Sequence, residues 1–172
     1  MVDVQTVTIV IAGISLVIGV INSIRSNRKA EEQRQTQLAT QIYEQLLDPD
    51  FTRAFAEMVY QWEFTDYEDY IPKYSITTGH MDEYTKFSRI SRYVSHTCEL
   101  INTGQIELKF VSKLLADNIM RYWEKFRPVC IGSRTLLNNP TAYDNIEAVY
   151  PILREQRQQA IERKQQHITV TT

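Results

Sequence analysis

Three histidines (His80, His96 and His167) and two cysteines (Cys98 and Cys130) are the side chains best able to bind a metal or attack a substrate. His96 and Glu99 stand three residues apart, which on a helix places them on one face. Paired carboxylate–histidine motifs hold di-iron centres inside helical bundles, but there the glutamate comes first and a second copy faces it. Here the order is reversed and the pair occurs once, so it reads as an ordinary helix-surface pair. Cys98, two residues from His96, falls on a different face and cannot share a ligand role with it. No Cys-x-x-Cys, His-Glu-x-x-His, Walker loop or Gly-x-Ser-x-Gly is present. No catalytic, cofactor or metal residue is assigned on this basis.

Two other patterns bear on binding. In the first, Trp62, Phe64, Tyr67, Tyr70 and Tyr74 interleave with Glu63, Asp66, Glu68 and Asp69. Acidic-aromatic surfaces can take cationic peptides, and tyrosine is enriched at interfaces. Tyr67, Glu68, Asp69 and Tyr70 are therefore a candidate partner surface. The weightier alternative is that the rings cover one edge of the core while the carboxylates stay wet. The carboxylates lack the spacing and central glycine of an EF-hand loop, which argues against calcium. In the second pattern, Thr8, Ala12, Ser15, Gly19 and Asn22 or Ser23 recur every three or four residues in an apolar segment. Small residues let membrane helices approach closely, and Ser, Thr and Asn can hydrogen-bond across the contact for roughly 0.5–2 kcal/mol each. Val10, Ile14, Val17, Ile18 and Ile21 form the opposite, lipid-suited face.

That apolar segment runs from Val4 to Ile24 without a charged side chain. At about 1.5 Å per residue it is long enough for the ~30 Å hydrocarbon core of a bilayer. A cleavable secretory signal needs a basic start, a shorter apolar stretch and a small-x-small exit. This chain opens with Asp3, has no early Lys or Arg, and leaves the segment through Asn22-Ser23-Ile24-Arg25, so a retained single-pass anchor is expected. Arg25, Arg28, Lys29 and Arg34 crowd its C-terminal side. Cytoplasmic flanks carry the excess of basic residues, which puts the N-terminus outside and the remaining domain in the cytoplasm.

The rest of the chain reads as all-α. The whole chain of 172 residues holds only five glycines and five prolines, which favours long helices over many turns, and the net charge of −2 makes no case for nucleic acid. Both cysteines fall on apolar helical faces and are expected as buried free thiols in a reducing compartment. Residues 1–25 form the anchor, 26–47 a helical stalk, 48–155 a helical bundle and 156–172 a polar tail that frays or awaits a partner. Leu38, Ile42, Tyr43 and Leu46 dock the far end of the stalk. Asp48-Pro49-Asp50 caps a helix that buries Phe51, Phe55, Met58, Val59 and Trp62. Residues 63–79 read as a loop. A helix over 82–103 turns Tyr84, Phe87, Val94, Cys98 and Ile101 inward and ends at Gly104. Residues 106–137 are helical, with a break at Asp117 and a kink at Pro128. Asn139-Pro140 caps a last helix with Tyr143, Ile146, Val149, Tyr150 and Leu153 inward. The stalk does not sustain a heptad, so support for a coiled coil is weak.

Four stretches carry a resemblance: Arg34–Ala39 (RQTQLA), Leu46–Phe55 (LLDPDFTRAF), Cys98–Val111 (CELINTGQIELKFV) and Tyr122–Val129 (YWEKFRPV). In pattern and spacing over most of residues 28–155, the chain resembles an uncharacterised domain-of-unknown-function family of prokaryotic single-pass membrane proteins with a helical cytoplasmic domain. The resemblance implies that topology and a prokaryotic source, and it lends no catalytic residues. Two function classes follow. One is a non-catalytic accessory or scaffolding subunit that meets the lipid bilayer and a membrane protein partner, or a second copy, through its anchor. The other is an enzyme or small-ligand sensor with a site in the bundle near His96, Arg121, Trp123 and Arg127. A conspicuous pocket lined by perturbed titratable groups would favour the second class.

Overall fold

The computed structural model describes residues 4–111 and 113–170, with side chains over 16–111 and 113–165. Six α-helices and two short 3₁₀ turns make up the described residues, and there is no strand among them. The helices are α1 (Val4–Leu47), α2 (Pro49–Tyr60), α3 (Tyr67–Tyr74), α4 (Met81–Asn102), α5 (Lys113–Leu136) and α6 (Asp144–Val170). The chain divides into two units, Met1–Leu38 and Ala39–Thr172.

In the first unit the helix exposes its large apolar side chains, Leu16, Ile18, Val20 and Ile24 among them. Glu31 and Arg34 form an ion pair at 2.9 Å on its polar stretch. Among the described residues, no helix is long and apolar enough to cross a membrane. The side chains of residues 4–15, a large share of the uncharged run, lie outside the described residues.

The second unit is a bundle. Asp48 caps α2 by accepting a hydrogen bond from the Phe51 amide at 2.7 Å, with Pro49 in the first turn. That bond is the main reason the Asp48 carboxyl titrates below its ordinary range. Phe51 and Met58 on α2 are fully buried, as are Ile90 on α4, Ile119 and Phe126 on α5, and Ile146 and Val149 on α6. α4 lies against α2 and α6, and α5 against α6 and α3. Trp62 and Trp123 are both in this core. The end of α1 is tied in by Ala39, Ile42 and Leu46, which are buried, and by Tyr93 on α4, whose hydroxyl donates to the Ile42 carbonyl at 3.1 Å. Gly104 (φ +69°) ends α4 in the left-handed conformation, with its amide on the Ile101 carbonyl and that of Ile106 on Leu100.

The structure corrects the sequence reading in several places. Residues 63–79, expected as a loop, contain α3 and a 3₁₀ turn, Ile76–Thr78. Asp66 accepts from the Asp69 amide at 2.9 Å, Asp69 accepts from the Thr65 amide at 3.1 Å, and Glu68 and Asp69 supply negative charge in the first turn. These caps outweigh the proline penalty at Pro72. The break expected at Asp117 falls earlier, after the 3₁₀ turn Leu108–Phe110, and Asp117 lies inside α5. Asn139-Pro140 does not cap α6. The Asn139 side chain accepts from the amide and hydroxyl of Thr141, making a turn that leads through Tyr143 (φ +68°) to a helix start at Asp144. The polar tail continues α6 as helix to Val170, supported by the Arg157–Asp117 pair (3.8 Å) and the Gln158–Glu162 and Gln159–Glu155 hydrogen bonds. Tyr84, expected inward, is 37% exposed.

A tyrosine-lined cleft as candidate functional site

Within the bundle, α3, α4 and the C-terminal half of α5 leave a cleft of about 720 Å³ between them. That volume is in the range of small-molecule sites. α4 supplies one wall because two stripes run along it. Ile90, Val94 and Ile101 face the core, while Ser88, Ser91 and Ser95, spaced three and four residues apart, face the cleft with Phe87. α5 contributes Val129 and Ser133, and α3 contributes Tyr67 and Tyr70. Gly132 explains how α3 comes so close, because a Cβ at that position would overlap Cβ and Cγ of Tyr67.

The hydroxyls of the cleft are mostly committed. Ser91 and Tyr122 share a buried hydrogen bond of 2.6 Å, and Ser133 donates to the Cys130 carbonyl at 2.9 Å. Asn145 donates to the carbonyl and hydroxyl of Ser95, and Arg92 donates to Ser88. Tyr70 differs. It is 4% exposed, and among the described residues its hydroxyl is a buried polar atom without a hydrogen-bond partner. Burial holds the phenols protonated: it pushes Tyr143 up to about 12 and drives Tyr70 and Tyr122 well above their ordinary value. Burial likewise pushes the thiols of Cys98 and Cys130 up to about 12, so neither is a nucleophile near neutral pH. Chemically, the cleft offers the Tyr70 hydroxyl set in aromatic and aliphatic walls.

The residues singled out from sequence are distributed differently. The side chains of Thr8, Ala12, Ser15 and His167 lie outside the described residues. Gly19, Asn22 and Ser23 are exposed on α1. Of the candidate partner surface, Tyr70 is buried and joins a ring cluster with Trp62, Phe64, Tyr74 and Phe87. Trp62 and Tyr74 stack at 4.3 Å. Tyr67 is half-buried, Glu68 is exposed and Asp69 pairs with Lys73 at 2.8 Å. The rings therefore cover an edge of the core and the carboxylates stay wet. His96 and Glu99 stand at the cleft mouth, both exposed. Arg121 donates to the Tyr60 hydroxyl at 2.8 Å, Trp123 is buried and Arg127 is exposed, so these three are not brought to the cleft with His96. Among the described residues no group of three or more His, Cys, Asp or Glu is placed to hold a metal. The sequence reading missed the cleft itself, and the signal that could have found it is the serine stripe on α4.

Fold and site together define an all-helical protein with a largely apolar, tyrosine-lined cleft in its bundle. The chain matches, over residues 4–151, the family described as a domain of unknown function, DUF4760, and it belongs to that family. No curated protein and no solved structure matches it significantly.

Proposed function

We propose that this protein is a membrane-anchored, non-catalytic accessory or scaffolding subunit. Its N-terminal helix lies in the cell membrane with the N-terminus outside, and the bundle lies in the cytoplasm. One observation carries the reading: the run Val4–Ile24 has no charged side chain and is followed at once by Arg25, Arg28 and Lys29. Such a run suits the bilayer interior, and such a flank suits its cytoplasmic side. The exposed apolar side chains between Leu16 and Ile24 support it, since lipid would accept them at less cost than water. The line Thr8, Ala12, Ser15, Gly19, Asn22 and Ser23 is the face we assign to a membrane protein partner or a second copy. A Cβ at Gly19 would meet nothing within 4 Å, which leaves that position open to close approach.

The test uses the full chain in its native membrane. Gly19→Ile adds bulk on the proposed contact face, and Val17→Leu adds bulk on the lipid face. Both keep the segment apolar and able to insert. Recovery of the co-purifying partner, or of cross-linked dimer, should drop for Gly19→Ile alone. Equal recovery would leave the helix as an anchor without an interface. The cleft favours a second reading, a small-ligand sensor, because its walls combine protonated hydroxyls with apolar surface.

A further inference from the structure

We propose that the cleft between α3, α4 and α5 binds an uncharged small molecule with an aromatic or alicyclic body and a hydrogen-bond acceptor that takes the Tyr70 hydroxyl as its donor. This rests on the sensor reading of the cleft and is independent of the anchor. Tyr70 is the starting point, because a buried hydroxyl ordinarily has a partner and this one has none among the described residues. Tyr70 itself lines the cleft, together with Tyr67, Tyr84 and Tyr143. A phenol hydroxyl both donates and accepts, and its O–H is the half left without a receiver, so a ligand acceptor or a water would complete it.

The body of the ligand follows from the remaining wall. Phe87 and Val129 are buried behind the cleft, and Ile76, Leu136 and Leu137 stand 42%, 63% and 55% exposed along its rim. An apolar rim around a partly apolar interior suits a hydrophobic molecule and not a sugar or a nucleotide. Charge points the same way. Arg92 and Glu99 sit on the α4 wall with opposite signs, both exposed, and the serines of that wall are bound to protein partners. A net anion or cation finds no matching cluster there, whereas a neutral carbonyl or ether finds Tyr70.

Full-length protein in lipid nanodiscs is titrated with coumarin, a neutral bicycle with a carbonyl acceptor, by saturation-transfer NMR, with empty nanodiscs subtracted. Indole, which offers no comparable acceptor, and benzoate, which is anionic, are run beside it. The expected result is saturable coumarin binding that Ser88→Phe abolishes by filling the cleft. Tyr70→Phe should weaken coumarin about five- to tenfold, leave indole unchanged, and leave the melting temperature equal or higher because an unpaired hydroxyl has been removed. No saturable coumarin binding, or preferential binding of benzoate, would overturn the proposal. Unchanged coumarin affinity in Tyr70→Phe would overturn the role given to that hydroxyl and assign it a trapped water. A clear drop in melting temperature in that variant would also count against the proposal, by showing that the hydroxyl has a structural bond of its own. None of these outcomes bears on the Gly19→Ile result, so cleft and anchor stand or fall separately.

Discussion

At the scale of single residues, Gly132 and Tyr67 fix how near α3 comes to α5. A glycine inside a helix ordinarily costs up to about 1 kcal/mol against alanine, so Gly→Ala is usually a gain. Here the added methyl would meet Tyr67 at Cβ and Cγ, atoms tied to the α3 backbone rather than the tip of a flexible chain. The steric term wins, and Gly132→Ala should destabilise the protein by about 1–3 kcal/mol. Thermal melting of the full chain checks the sign, and a raised melting temperature would show that α3 moves aside freely. This kind of constraint was not legible in the sequence. Nothing in the sequence marks Gly132, and the spacing of the interleaved rings leaves Tyr70 open both to covering a core edge and to meeting a partner. Both depend on what lies across the cleft. Trp123, Cys98 and Cys130 were legible as core, since each falls on the apolar stripe of its own helix, and Trp62 extends the stripe of α2 just past its end.

Among the elements, α2 and α4 are joined by a pair whose strength depends on pH. Lys86 donates to both carboxylate oxygens of Glu57, at 2.6 and 2.8 Å, with both side chains about one-third exposed. That hydrogen-bonded contact, more than simple charge attraction, lowers the Glu57 carboxyl below its ordinary value of 4.5. A group lowered on folding contributes stability above its ordinary value and loses it as pH falls through the folded one. Lys86→Met should therefore cost up to about 1 kcal/mol at neutral pH, discounted for solvent screening, and almost nothing in acid, once the Glu57 carboxyl is protonated. Melting curves at the two pH values check this, and a difference that persists in acid would mean Lys86 contributes by packing. The helices themselves were legible where period and punctuation agreed. α2 has Asp48 and Pro49 at its start, and α4 has Gly104 at its end. α3 was not, because eight residues with a proline show too little periodicity, and its existence rests on caps from Asp66 and Asp69. The start of α6 was misplaced for a related reason: Asn139 bonds to Thr141 in a turn of its own, which the pair Asn-Pro does not distinguish from a helix cap.

For the whole molecule, the two buried thiols make the topology directly measurable. Cys98 and Cys130 are both buried and unbonded, with their thiols pushed up to about 12, so they should resist maleimide in the folded state. A single Arg163→Cys on the exposed stretch of α6 then becomes the one fast-reacting site. With the bundle in the cytoplasm, an impermeant maleimide should label it only after cells are opened, and rapid labelling of intact cells would reverse the proposed orientation. The cleft, finally, is bounded by helices of unequal permanence. α4 runs for 22 residues with one face in the core, whereas α3 has eight residues, a proline that removes one donor, and one buried side chain. Short elements with few internal bonds open locally far more often than the bundle unfolds. In time rather than in space, the two walls should therefore differ: backbone amides of α3 are expected to exchange with solvent ahead of those of α4, so that local opening of α3, and not unfolding of the bundle, sets the pace at which that wall is lost and restored.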